Sequence, residues 1–124
     1  NVLTQYALCM DRVNPALAAR LDGLHPAVLR LMALAAQGAA RHGRWLGVCG
    51  AMASDPLAVP LLIGLGVTEL SASPAVIPEI KAVVRRVSLA ECQAAAQAAL
   101  QLADAEAVRA HVRNTWPWLA ASAA

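Results

Sequence analysis

Cys49 is the residue whose type and neighbours best suit it to chemistry. It closes the apolar run Trp45-Leu46-Gly47-Val48, and Gly50 and a turn through Ala51, Met52, Ala53, Ser54 and Asp55 follow it. A thiol there can serve as nucleophile, acid or metal ligand, and the glycine beside it lets a ligand approach the backbone. The competing reading is an inert small hydrophobe, the commoner fate of a solitary cysteine. No CxxC pair accompanies it and no histidine stands at ligand spacing, so no metal centre is predicted from the spacing. Arg12, next to Asp11 in a polar loop, carries a guanidinium fork that suits a phosphate, though a plain surface arginine is the commoner reading of the residue by itself. Glu69 reads first as a solvated strand-end residue, with a second carboxylate near the same site as the alternative. His25, His42 and His111 are scattered and none is read as a phosphoacceptor. Cys9 and Cys92 are read as packing residues. Arg85 and Arg86 end a helix whose terminus they stabilise.

These residues need elements to hold them. Residues 3–10 show no clear period. Asn14 caps and Pro15 starts a short helix that should stop near Asp22-Gly23. His25-Pro26 opens a longer helix to about His42, with Val28, Met32, Ala35, Ala36 and Ala39 on one face and Gly43 as its stop. Residues 45–49 read as a buried strand bounded by glycines. Ser54-Asp55-Pro56 caps a helix ending at Gly66, residues 67–71 form a second strand, and Ser73-Pro74 starts a helix to Arg86. Ser88 and Glu91 make a capping box for an alanine-rich helix. Asp104 caps a last helix to Arg113, Trp116-Pro117-Trp118 ends regular structure, and the tail should fray. Strands alternating with helices argue for an α/β fold with parallel βα units. In such folds the active site lies at the carboxyl ends of the strands, which is where Cys49 falls.

The composition narrows the class. Of the 124 residues, 59% are hydrophobic and 15% charged, which excludes a disordered chain. The net charge of +2, with no basic stripe, argues against nucleic acid as a partner. Thirty alanines supply much of the apolar content, favouring close-packed helices over a membrane span. The apolar stretches are about ten residues or shorter, against the roughly 20 that a spanning helix needs. Three cysteines make no disulfide framework, so a cytoplasmic setting is expected. The charge content lies well below the roughly 25% of soluble domains. With a start at Asn1, without methionine or targeting segment, this suggests a piece of a larger protein whose apolar surface has lost its partners.

The motifs then point to a family. Asn1-Val2-Leu3-Thr4-Gln5-Tyr6 with Asp11-Arg12 resembles the N-D-L-T-Q-Y-x-L-x-x-D-R signature of enzyme I of the bacterial phosphoenolpyruvate-dependent sugar phosphotransferase system. Residues 24–31 are similar to the helix that follows it, Gly47-Val48-Cys49-Gly50 to its G-x-C-G-E turn, and residues 60–73 to its L-L-L-G-x-G-x-x-E-x-S-x-S segment. The likeness covers residues 1–113, with 114–124 as a terminal tail. Pyruvate phosphate dikinases and phosphoenolpyruvate synthases share the cysteine turn, and fusions of the multiphosphoryl transfer type are compatible. The resemblance implies the C-terminal part of a (βα)8 TIM-type barrel, about strands seven and eight with flanking helices. It implies that the cysteine matching Cys49 protonates or deprotonates the methylene carbon of enolpyruvate, while Asn1 and Arg12 bind the phosphoryl group. The phosphate would pass through a histidine on a domain outside this chain to a phosphocarrier protein, in sugar uptake. Self-association into a homo-oligomer is also expected, because the family's barrel is its dimerisation domain.

Two departures stand out. The family's magnesium ligand after the asparagine is Val2 here, and the glutamate after Cys-Gly is Ala51; Ser54 also replaces a glycine. Valine has no oxygen to offer magnesium. The resemblance therefore carries two readings: the C-terminal portion of a phosphoenolpyruvate–protein phosphotransferase, or a catalytically degenerate barrel module kept for dimerisation or regulation.

Overall fold

A stretch that leaves a strand and returns parallel to it must cross over the sheet, because a hairpin only joins antiparallel strands. The computed structural model, which describes residues 1–121, has this connection at its centre. Strands β1 (Gly47–Cys49) and β2 (Glu69–Ser71) pair in parallel, with Gly47 opposite Glu69, Val48 opposite Leu70 and Cys49 opposite Ser71. A 3-10 turn (Ala51–Ser54) and a helix (Val59–Leu65) lie between them. Successive strand side chains point to opposite faces. Val48 and Leu70 pack on the core, while Gly47, Cys49, Glu69 and Ser71 are exposed. Helices thus cover one face of the pair, and Cys49 is on the other.

Both strands are shorter than the predicted 45–49 and 67–71. Just before them the Thr68 hydroxyl donates to the Leu46 carbonyl (3.1 Å) and accepts from the Leu46 amide (3.2 Å). A side chain has taken over part of the pairing there, so the regular ladder starts later.

Among the described residues, six helices besides α1 (Val2–Ala7) and α2 (Pro15–Ala18) build the rest: α3 (Pro26–Arg41), α4 (Val59–Leu65), α5 (Ile77–Arg86), α6 (Leu89–Ala99), α7 (Ala105–Thr115) and α8 (Pro117–Ala121). Their ends follow local chemistry. Asn14 accepts from the Ala16 amide, and His25 Nδ1 accepts from the Ala27 amide ahead of Pro26. The Ser88–Glu91 box is formed in both directions, and the Ser88 hydroxyl and amide hold the Glu91 carboxyl below its ordinary pKa. Asp104 accepts from the Ala107 amide. Gly43 and Gly66 take positive φ where α3 and α4 stop, a conformation without penalty only for glycine.

The core gathers around α4, whose Val59, Leu61 and Leu62 are fully buried. Each such side chain contributes roughly 2 kcal/mol of apolar burial. The small residues of α6 (Cys92, Ala95, Ala96 and Ala99) lie against α4 and are buried. Arg30 of α3 donates from Nε (3.0 Å) and Nη2 (2.6 Å) to the Leu100 carbonyl, tying α3 to the end of α6.

Further expectations need correction. The helix predicted to be capped by Ser54-Asp55-Pro56 starts only at Val59, because Ser54 belongs to the 3-10 turn and Ala58 is the N-cap. Residues 3–10 do contain a helix, α1, with Thr4 buried as its inward residue; a single turn and a half is too short to show a period. The helix after Asn14 stops at Ala18, before Asp22-Gly23. On α3 the buried set is Val28, Leu29, Met32 and Ala36, whereas Ala35 is exposed. Regular structure resumes at Pro117, because Trp116 and Leu119 are buried and Arg86 stacks on the Trp118 ring at 3.9 Å. Residues 122–124 of the predicted tail lie outside the described residues. Among the described residues, no helix is long and apolar enough to cross a membrane.

Candidate functional site

Cys49 ends β1 and is exposed on the uncovered face. Gly50 then turns the chain at φ 81° and ψ −158°, a region that is essentially glycine's alone. The missing side chain also admits a neighbour. A Cβ built on Gly50 would stand 3.4 Å from Cγ and Oδ1 of Asn1, so the Asn1 carboxamide lies on the cysteine turn. Asn1 occupies the N-cap of α1, yet its side chain makes no capping bond there.

Asn1, Arg12 and Cys49, predicted from separate motifs, line one cleft of about 460 Å³, together with Val2, Met32 and Met52. The Arg12 backbone amide donates to Gln5 Oε1 at 3.4 Å, anchoring its loop to α1. A second, smaller cleft of about 260 Å³ shares Asn1, Thr4, Arg12 and Met52 with the first, and adds Asp22, Asp55 and Arg109. Met52 stands between the two, 3.0 Å from where a Cβ on Gly23 would be.

The predicted residues outside this group are distributed differently. Glu69 starts β2, opposite Gly47 and two positions from the Cys49 pair, and lines neither cleft. His25 is spent on its helix cap and His42 caps the other end of α3. His111 of α7 has a buried Nε2 without a hydrogen-bond partner. Cys92 is buried as expected, and burial first and Glu91 second push its thiol up to about 11. Cys9 corrects its prediction: it is exposed, in a turn at φ 52°, because α1 ends before it.

Sequence reasoning missed Arg109. Its Nε and Nη2 donate to Asp22 (2.6 and 2.9 Å), and Nη1 donates to Asp55 (2.9 Å). Burial opposes ionisation of Asp22. The Arg109 hydrogen bonds, the Leu24 amide and the charges of Arg109 and His25 outweigh it and hold the carboxyl below its ordinary value. Arg109 is correspondingly held protonated, first by its bonds to Asp22. These partners are 87 and 54 residues away, so helical spacing carried no signal for them.

A carboxyl lowered by folding stabilises the protein above its unfolded pKa, and that contribution is lost as pH falls through the folded value. Stability from this cluster should therefore decline only below about pH 4. Urea midpoints measured across the acid range should fall less steeply for Asp22→Asn than for the wild type. Parallel curves would show that Asp22 is not a source of the acid sensitivity.

Residues 1–89 match the family model described as PEP-utilising enzyme, PEP-binding domain, and the chain belongs to that family. Among curated proteins it is 54% identical over 110 residues to a multiphosphoryl transfer protein of Xanthomonas campestris, covering 89% of this chain and 13% of that protein. It is 40% identical over 114 residues to a phosphoenolpyruvate-protein phosphotransferase of Mycoplasma genitalium, covering 92% of this chain and 20% of that one. An Escherichia coli protein named for the phosphoenolpyruvate-dependent phosphotransferase system is 44% identical over 112 residues, 90% of this chain and 15% of its own length. The chain thus spans between about an eighth and a fifth of the length of these relatives.

Proposed function

We propose that this chain is the C-terminal part of the phosphoenolpyruvate-binding barrel of a phosphoenolpyruvate–protein phosphotransferase, acting within a longer protein. The observation that carries the reading is that Asn1, Arg12 and Cys49 line a single cleft although they come from three segments. In this reading β1 and β2 are strands seven and eight of a (βα)8 barrel, with Cys49 on the face that the other strands would enclose. The Arg12 guanidinium and the Asn1 carboxamide bind the phosphoryl oxygens and favour the charge that develops on them. The bond from phosphorus to the enol oxygen breaks, and phosphorus bonds to a histidine nitrogen of another domain. The methylene carbon takes the proton of the Cys49 thiol, giving pyruvate and a thiolate that water reprotonates. From the histidine the phosphate passes to a phosphocarrier protein. A cytoplasmic setting follows from this role.

The residues of this cleft do not fit the magnesium ion that the family resemblance implies. Val2 lines the cleft beside apolar Leu3, Val28 and Met32, and the nearby carboxylates of Asp22 and Asp55 are engaged by Arg109. Exposed Val2, Leu3 and Tyr6 on α1 also support self-association. The catalytically silent reading is favoured by Val2 and Ala51 alone, against the preserved convergence of Asn1, Arg12 and Cys49.

The reading requires groups from other strands, so the isolated chain should release no pyruvate from phosphoenolpyruvate with carrier protein and magnesium present, whereas the full-length protein should. A coupled pyruvate assay on both decides it: turnover by the isolated chain, or none by the full-length protein, contradicts the assignment.

A further inference from the structure

The catalytic reading needs Arg12 and the Cys49 thiol at a set separation, yet Arg12 sits in one loop and Cys49 ends β1 at the start of another. Arg12 leads through α2 to Asp22-Gly23, and Cys49 leads through the 3-10 turn to Asp55. We propose that Arg109, on α7, is a positioning residue that sets these two loops against each other; the proposal rests on the functional reading above.

The geometry is that of a clamp. Both aspartates already shape their own loops: Asp22 Oδ1 accepts from the Leu24 amide (2.9 Å) and Asp55 Oδ1 from the Leu57 amide (3.0 Å). Each carboxylate is therefore fixed relative to its backbone before Arg109 reaches it. Arg109 then grips Asp22 with two nitrogens and Asp55 with the third, bridging loops that have no chain connection nearby. The guanidinium is planar, so joining both partners fixes an orientation as well as a distance. Above the bridge, Gly23 meets the Met52 methyl so closely that a side chain on Gly23 would reach it at 3.0 Å. The same loops form walls of both clefts, where Arg12 and Met52 are shared. Arg109 lies beyond the residues that match the family model, so its part in the site comes from the structure. A small misplacement of reacting groups costs rate more than binding.

The test is made in the full-length protein with Arg109→Met, Arg109→Lys and Asp55→Asn. The last keeps an oxygen for the turn bond from the Leu57 amide but puts an NH2 group, which cannot accept, where Oδ2 accepts from Arg109 Nη1, so it remains informative if Arg109→Met folds poorly. Arg109→Met and Asp55→Asn are each expected to lower kcat about tenfold or more with KM changed less than about threefold, and Arg109→Lys to recover part of the loss. Hydrogen exchange should rise together in residues 19–24 and 50–55 of Arg109→Met. An active wild type whose Asp55→Asn variant keeps its full kcat overturns the positioning role and leaves the functional reading standing. An inactive wild type overturns the functional reading, and exchange that then rises at one loop alone overturns the clamp as well.

Discussion

Gly64→Ala is expected to destabilise the protein by about 3 kcal/mol or more, although alanine is the better helix former. Propensity alone favours the substitution by roughly 1 kcal/mol. Packing opposes it and wins. Gly64 is in α4 where α6 crosses, and an added Cβ would fall inside the van der Waals envelope of the Cys92 carbonyl oxygen and 2.8 Å from Ala96 Cβ. The obstructing carbonyl is backbone and cannot turn aside as a flexible side chain can, so α6 would have to move off α4 and open the core around Leu61 and Leu62. Gly38, on the exposed face of α3, is the matched control, since nothing lies within 4 Å of its Cβ position. Gly38→Ala should stabilise by about 1 kcal/mol, as propensity requires. Urea unfolding of both variants makes the comparison, and two stabilising substitutions would refute the close α4–α6 approach.

Cys49→Ser should lower pyruvate formation by the full-length protein about 100-fold or more, whereas Cys9→Ser should leave it within about twofold of the wild type. Both thiols are exposed, so accessibility does not distinguish them. Location does: Cys49 lines the cleft with Asn1 and Arg12, and Cys9 lies in a turn after α1. A serine hydroxyl has nearly the shape of the thiol but holds its proton far more tightly, so it keeps the packing and loses the acid. The phosphoryl contacts proposed for Asn1 and Arg12 do not involve the thiol, so the loss should appear in kcat more than in KM. Equal rates for the Cys49→Ser variant and the wild type would remove the thiol from the reaction. Together with a silent isolated chain, the result would separate a working but incomplete site from a degenerate one.

Much of this protein is legible from its residues taken a few at a time. The caps at Asn14, Ser88 and Asp104 and the stops at Gly43 and Gly66 involve groups within about four residues, so their chemistry is written locally. The alternation of helices and strands suffices to predict parallel pairing, and the motifs around Asn1, Arg12 and Cys49 suffice to single out the residues that meet in one cleft. Short or weak elements escaped: α1 is too brief to show a period, and α8 begins at a proline that could equally have ended the chain's order. Other features were decided only in three dimensions. That Gly64 cannot carry a side chain follows from the distance between two helices, and that Arg109 ties Asp22 to Asp55 follows from partners 87 and 54 residues away. Sequence spacing controls what a residue meets along its own helix or strand, and packing of the whole chain controls what it meets across them. The residues Asn1, Arg12 and Cys49 that share the cleft could therefore be read from the order of the residues, and the salt bridges of Arg109 with Asp22 and Asp55 could not.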